Sequence, residues 1–434
     1  MALLLGSVAD DFTGATDLAD TLVNAGLTTV LLLGLPDAGS GKLPAAAQNA
    51  DAVVIALKTR SIPAADAVRQ SLAAARLLRG AGAAHLFFKY CSTFDSTDAG
   101  NIGPVADALL DEVGGDFTIF CPAFPKAGRK LFHGHLFVGS ALLSESGMQN
   151  HPLNPMTDPN LVRVLGRQTP HQVGLVDFAA VSRGAEAIRG EFRKLRAAGC
   201  RHAIVDAVNE DDLVAIGGAA LGEKLALTTG GSGLGGGLAV HLRRSAGTGA
   251  APQDFPKVQG PAAIVAGSCS RATLGQIEHF VKSGGPLFRV EVGALLAGKE
   301  RVVAEALAWA QSRLDATGPP VLIAASEPPE TVVQHQEAHG REHVGHLIES
   351  ALAEITHGLV ADAGGVRRLI VAGGETSSAA VERLGIRVLR IGPTIDPGVP
   401  WTFTSGEPAL ALALKSGNFG APDFFLSAFQ KLPA

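Results

Sequence analysis

The chain has 434 residues, 47% hydrophobic and 18% charged, with 53 Gly and 24 Pro. That length and balance suit two or three compact domains and exclude a disordered or fibrous chain. A formal net charge of −5, with no basic run and no Arg/aromatic stripe, argues against a nucleic-acid partner. No apolar stretch approaches the ~18 residues of a membrane span.

In chain order, the sequence predicts strands over 3–8, 28–33, 52–57, 84–89, 117–121, 172–176 and 202–206. Amphipathic stretches separate them. Over 14–25, Ala15, Leu18, Ala19, Leu22 and Val23 share one helical face, and Gly26 sits where a helix ends. The N-terminal "MALLLGSVADD" lacks a basic flank and reads as a first strand, not a signal peptide. Residues 122–170, rich in Pro, Gly, His and Asn, read as long loops forming a lid, a binding loop or an assembly surface. A homo-oligomer is therefore left open. Residues 245–260 have the composition of a linker. After it, strands are predicted over 262–267, 287–291, 320–325, 368–372 and 387–391, with helices near 271–283, 300–315, 340–360 and 376–384. This alternation predicts two α/β domains with mostly parallel sheets, over 1–244 and 261–434, and a ligand cleft between them.

Cys91, Cys121, Cys200 and Cys269 form no C-x-x-C pair. Disulfide and zinc frameworks are not expected, and a reducing cytoplasm is the natural compartment.

Three predicted strand ends in the first half carry polar groups. "VADDFTGATD" (8–17) places Asp10 and Asp11 after a strand; one Asp suffices to cap a helix, but Thr13, Thr16 and Asp17 add more polarity than a cap needs. "KTRSIP" (58–63) offers Arg60, whose guanidinium can grip a carboxylate. "FKYCSTFDSTDAGNIGP" (88–104) follows Lys89 with Ser92, Thr93 and Asp95. Ligands of open parallel sheets bind at the carboxyl ends of strands, so Asp10, Asp11, Arg60, Lys89, Ser92 and Asp95 outline one polar crevice. Cys91 reads as a packing residue.

In the second half, "AGSCSRAT" (266–273), "RRLIVAGGETSSAAVERLG" (367–385) and "KSGNFG" (415–420) are Gly/Ser loops, two of them entering helices. Free N–H groups and the helix dipole suit phosphate, and together these loops suggest a nucleotide cradle. Three other stretches are weaker. "GGSGLGGG" (230–237) lacks the βαβ context of a dinucleotide site, and "GSGKL" (39–43) lacks the first Gly and the Ser/Thr of a P-loop. "HGH" (133–135) has no third ligand at helical spacing.

These stretches, in this order, resemble the four-carbon acid-sugar kinase family. "VADDFTGATD", "KTRSIP", "DST", "AGS" and "AGGETS" carry the likeness. "KYCSTFDSTDAGNIGP", "CPAFPKAGR", "GHLFVG" and "SESGMQNHPLNPMTD" are most similar to its branch acting on 3-oxo-tetronate. The resemblance implies transfer of phosphate from ATP, with Mg²⁺, to the C4 hydroxyl of a four-carbon sugar acid. It implies that an N-terminal domain holds the acid and a C-terminal domain holds ATP. On that reading Arg60, Lys89, Ser92 and Thr93 grip the acid, and Asp95, or else Asp11, orients the reacting hydroxyl. ATP lies against Ser268, Gly373, Gly374, Glu375, Thr376, Gly417, Asn418 and Gly420. The Mg²⁺ ligands are not named by the sequence. Threonate or erythronate kinase activity, or non-catalytic sensing of sugar acids, are the alternatives. An NAD-dependent oxidoreductase would need a G-x-G-x-x-G at a first strand, which is lacking.

Overall fold

The computed structural model describes residues 3–36, 42–150, 154–246, 255–326, 334–335, 337–361, 365–406 and 408–433. Backbone contacts divide the chain into two units, Met1–Pro252 and Gln253–Ala434. The P-loop-like stretch at 39–43 and the expected linker at 245–260 fall in part outside the described residues. Helix Ser232–Ala246 runs on past residue 244.

The first unit is a parallel sheet built from β1 (Leu5–Ala9), β2 (Thr29–Leu33), β3 (Ala52–Ala56), β4 (His85–Lys89), β5 (Thr118–Cys121), β9 (Val173–Val176), β10 (His202–Val205) and β11 (Leu227–Gly230). Its order is β2-β3-β1-β4-β11-β5-β10-β9. β1 to β4 are buried along their whole length, as expected where helices cover both faces of a parallel sheet. The helix predicted over 14–25 spans Phe12–Asn24, and Gly26 beyond it takes a left-handed φ of 91°.

Two parts of this unit differ from the sequence reading. Residues 122–170 are not one run of loops. They hold a small antiparallel sheet of β6 (Arg129–Phe132), β7 (His135–Val138) and β8 (Ala141–Leu142) and a short helix, Leu161–Gly166. The "HGH" stretch makes the β6–β7 turn, with His133 and Gly134 at φ 47° and 71°. Asp206 accepts the backbone N–H groups of His133, Gly134 and Phe178 and anchors that turn. The second difference is β11, a central strand hidden in "LTTGG". The glycines after it let a helix pack on backbone: a Cβ at Gly237 would lie 2.1 Å from the Leu213 carbonyl.

The second unit holds β12 (Ala262–Ala266), β13 (Leu287–Arg289), β14 (Val321–Ala324), β15 (Arg368–Ala372), β16 (Val388–Asp396), β17 (Val399–Thr404) and β18 (Ala411–Lys415), in the order β13-β14-β12-β15-β18-β17-β16. β17 alone runs antiparallel to its neighbours β16 and β18. β17 and β18 were not foreseen: Pro400 masks the first, and the Ala/Leu run "ALAL" of the second carries no strand signature. Trp401, with its indole N–H on the Ala428 carbonyl, packs with Phe280, Phe403 and Phe424 in the core. Helices Arg271–Lys282, Val292–Gln311, Arg341–Ala361 and Gly374–Arg383 flank this unit's strands in sequence. Among the described residues no helix is long and apolar enough to cross a membrane.

His85, at the start of β4, is buried and bonded to Thr228 Oγ1 of β11 at 2.9 Å. Burial pushes its pKa down to about 4, whereas an unfolded histidine titrates near ~6.5. Between those values the unfolded chain binds the extra proton, so stability falls as pH drops through that window. Urea denaturation of wild type and His85→Gln should show the wild type losing stability relative to the variant from pH 6.5 to 4; parallel profiles would contradict this.

Candidate active site

The polar residues predicted in the first unit converge on the carboxyl ends of three adjacent strands, β3, β1 and β4. Asp10 and Asp11 follow β1, Arg60 follows β3, and Lys89 ends β4. Backbone bonds tie these ends together: Asp10 N–H donates to Lys89 O (3.1 Å), and Thr59 N–H to Asp10 O (3.0 Å).

Arg60 sits among three carboxylates. Its Nε and Nη2 donate to the two oxygens of Asp10, both at 2.9 Å, Nη2 also meets Asp11 Oδ1 at 2.7 Å, and Nη1 lies 3.6 Å from Asp95 Oδ2. Asp11 does two jobs, because its carboxylate also caps helix Phe12–Asn24 by accepting from Gly14 N–H and Thr13 Oγ. Asn101 steadies the Arg60 loop by donating to the carbonyls of Thr59, Arg60 and Ile62. A cavity of about 10 Å³ under Asp10, Arg60, Asp95 and Asn101 has the size of one water.

Phe94 has a left-handed φ of 54°, uncommon for a bulky residue. Its N–H bonds the Cys91 carbonyl, and its ring packs edge-on against Tyr90 at 5.3 Å. This turn brings Asp95 back toward Arg60, with Thr93 Oγ donating to Asp95 Oδ1 at 2.7 Å. Strained backbone held in place by its surroundings is a feature of functional sites. Ser92 lies in the same turn, largely buried. Lys89 is almost fully buried and donates to the Tyr90 carbonyl at 2.9 Å.

The carboxylates are driven apart electrostatically. Burial raises the pKa of Asp10 despite Arg60. Burial also presses on Asp11, but Arg60 and Lys89 outweigh it and hold that carboxyl below the usual range. Asp17, which the sequence reading used only as added polarity, is buried and raised, and accepts from Ser232 Oγ at 2.5 Å.

In the second unit, the predicted phosphate loops also meet at one sheet edge. Gly267 and Ser268 donate backbone N–H groups to Ala372 O, and Gly373 N–H donates to Lys415 O. Gly373 has φ 130° and begins helix Gly374–Arg383 with no side-chain cap. Thr376 Oγ1 would lie 2.9 Å from a Cβ at Gly373, and Ser268 Oγ 2.3 Å from one at Gly417. Glu375 and Asn418 are exposed beside them. Gly420 ends the 416–420 loop at φ 90°.

Four side chains that the sequence reading passed over fix that loop. Lys415 Nζ, fully buried, donates to the carbonyls of Ser416 (3.0 Å), Gly417 (3.2 Å) and Phe419 (3.0 Å). Ser270 and Thr273 hydroxyls also donate to Gly417 O, at 2.5 and 2.9 Å. Gln276 Nε2 donates to the carbonyls of Phe419, Gly420 and Ala421. These bonds fix the loop's carbonyls, and Phe419 N–H closes the loop on Ser416 O at 3.2 Å. Lys415 could have been noticed as a cation closing an apolar run, as Lys89 does.

Family models match residues 5–238, as a sugar-binding N-terminal domain, and 263–425, as a nucleotide-binding C-terminal domain. A Cupriavidus necator protein named 3-oxo-tetronate kinase is 53% identical over 99% of this chain and 97% of its own length. One of the same name from Brucella melitensis is 43% identical over 99% and 95%. Among solved structures, a Salmonella typhimurium LT2 protein, provisionally described as a tRNA synthase, matches with a TM-score of 0.85 at 40% identity, covering 99% of this chain and 100% of that one. A Haemophilus influenzae protein matches with a TM-score of 0.76 at 42% identity, over the same shares.

Cys91 Sγ lies 2.9 Å from Thr93 Oγ1, and burial and the Asp95 charge push its thiol pKa up to about 12. The thiolate is the nucleophile, so iodoacetamide at pH 8 should alkylate native Cys91 at least ~10³-fold more slowly than a free cysteine titrating near ~8.5. Peptide mass spectrometry reads this out, and labelling at the free-cysteine rate would contradict it.

Proposed function

This chain belongs to the four-carbon acid-sugar kinase family, and we propose that it transfers the γ-phosphoryl group of ATP to the C4 hydroxyl of 3-oxo-tetronate. The observation that carries the reading is the cluster of Arg60, Lys89, Thr93 and Asp95 at three adjacent strand ends. It combines cations for a carboxylate with hydroxyl and carboxylate groups for a polyol. The relatives named for this reaction match over nearly the whole chain.

The acid is held first. Asp10 occupies two donors of Arg60, and a guanidinium has five, so the Nη1 edge near Asp95 is the side offered to a substrate oxygen. Lys89 donates to one carbonyl and has three donors. Ser92 can donate its hydroxyl to a remaining oxygen, Thr93 Oγ, whose proton lies on Asp95, can accept from a substrate hydroxyl, and Asp10 and Asp11 hold the guanidinium in register.

Phosphoryl transfer needs positioning and charge neutralisation more than covalent help, with one group orienting the attacking hydroxyl. Asp95 fills that role. Thr93 fixes one of its oxygens, leaving the other to accept the C4 hydroxyl proton. Asp11 is the second choice, since helix capping and Arg60 already engage its carboxylate.

The nucleotide half uses backbone. The uncapped start of helix Gly374–Arg383 and the glycine backbone of the 416–420 loop suit the phosphates, with the Ser268 and Thr376 hydroxyls beside them. Mg²⁺ is usually held by one or two carboxylates plus substrate phosphates, and Glu375, exposed in the first helical turn, is the carboxylate placed for it. Bound there, Mg²⁺ would neutralise phosphate charge.

ADP release can be coupled to an optical readout with 3-oxo-tetronate, threonate and erythronate compared side by side. The 3-oxo acid should give the highest kcat/KM. Asp95→Asn should lower kcat by at least ~10²-fold, the scale of a lost general base, with KM changing far less. Near-wild-type turnover would remove Asp95 from the mechanism.

A further inference from the structure

Within the 122–170 region, the stretch from Asn154 to Gln168 supplies no group to the chemistry at Arg60 and Asp95, yet it touches both loops that carry them. Asn154 Nδ2 donates to Ser61 Oγ at 3.2 Å, next to Arg60. Met156 Sδ accepts the Ser96 N–H at 3.4 Å, next to Asp95. Beyond helix Leu161–Gly166, Gln168 reaches the same turn as Met156. All three side chains are buried.

The amide of Gln168 is spent wholly on that turn. Its Oε1 accepts from Ser96 Oγ (3.2 Å) and Gly103 N–H (3.0 Å), and its Nε2 donates to the carbonyls of Ser96 (3.2 Å) and Thr97 (2.7 Å). An amide side chain has two donors and one oxygen with two lone pairs, so no capacity is left for a ligand. One backbone N–H and two backbone carbonyls also fix which way round the amide lies. The approach is close: a Cβ at Gly103 would lie 2.6 Å from Gln168 Cβ. Thr169 Oγ1 donates to Asp107 Oδ2 at 2.8 Å and ties the next residue to helix Ile102–Glu112. The exposed Arg167–Asp98 pair on the same turn adds little, because solvent screens it.

Asn101 stands at the N-cap of helix Ile102–Glu112 but makes no side-chain cap bond, since its amide is given to the carbonyls around Arg60. Gln168 Oε1 takes over, accepting the Gly103 N–H that a cap would satisfy. Asp95 is the residue before Ser96, and the left-handed Phe94 before it persists only where its surroundings hold it. Thr93 restrains the Asp95 carboxylate, and Gln168 restrains the backbone that follows. We propose that Gln168 is a positioning residue for phosphoryl transfer, holding the turn that sets Asp95 against the reacting hydroxyl. The proposal rests on the reading of Asp95 as the orienting group.

Gln168→Met keeps the bulk and removes all four bonds. Misplacing a catalytic group by 1 Å can cost ~10²-fold, so kcat with 3-oxo-tetronate should fall at least ~10-fold while the KM for ATP is unchanged. The decisive readout is the same substitution made in Asp95→Asn. With the orienting carboxylate already gone, it should lower kcat by less than about 2-fold, because residues that act as a unit are not additive. An equal fold-loss in both backgrounds would mean that Gln168 supports the fold alone, and would overturn the proposal, as would wild-type kcat in Gln168→Met. Gln168→Glu, of the same size, keeps the two accepted bonds and serves if the Met variant folds poorly. Its carboxylate faces two carbonyls, so kcat should again fall in the wild-type background and hold in Asp95→Asn; wild-type kcat in this variant also overturns the proposal. Near-wild-type turnover of Asp95→Asn would remove the Asp95 reading, and this proposal with it. A strongly impaired Asp95→Asn beside an unaffected Gln168→Met removes the positioning role alone.

Discussion

The grip of Asp10 and Asp11 on Arg60 is the constraint around which the first unit's site is organised. A partly buried guanidinium facing unpaired would be costly, and removing one member of such a pair leaves the other uncompensated. The bidentate Asp10 contact fixes the fork, Asp11 adds a second acid while starting a helix, and Asn101 holds the loop that carries the arginine. Asp95 completes the ring at 3.6 Å, brought back by the left-handed turn at Phe94. Three acids against Arg60 and Lys89 would leave surplus negative charge facing an anionic substrate. Burial raises the pKa of Asp10, while Arg60 and Lys89 hold that of Asp11 down. Carboxyl groups driven apart in this way are the usual basis for dividing binding from proton handling.

The two units solve one problem twice. Each has a buried lysine at the carboxyl end of a strand, Lys89 on β4 and Lys415 on β18, and each lysine donates to carbonyls of the turn that follows it. In the first unit that turn delivers side chains. In the second, Lys415, Ser270, Thr273 and Gln276 take up loop carbonyls and so fix the loop's backbone. Side chains select an acid with a particular arrangement of hydroxyls, whereas backbone N–H groups suit the phosphates shared by every nucleotide.

Much of this was legible in the sequence, for physical reasons that particular residues make plain. Strands β1 to β4 read correctly because parallel strands buried on both faces are unbroken apolar runs, and their ends stand out where Asp10, Arg60 and Asp95 interrupt them. β11 was missed because four residues, "LTTG", merge into the glycines behind them, and β18 because "ALAL" carries no β-branched signature. The β6–β7–β8 sheet was hidden by composition: the Gly and His residues that read as loop are the turns of very short strands. Gln276 was invisible for a different reason. Its partners are carbonyls, which every residue has, so no pattern of side chains announces it.

The central claim concerns which oxygen receives phosphate, and phosphorus NMR of the product tests it most directly. With ATP, Mg²⁺ and 3-oxo-tetronate, a single new phosphomonoester signal should appear, split into a triplet by the two hydrogens on C4. A doublet, marking phosphate on the C2 hydroxyl, or release of inorganic phosphate alone, would contradict the account.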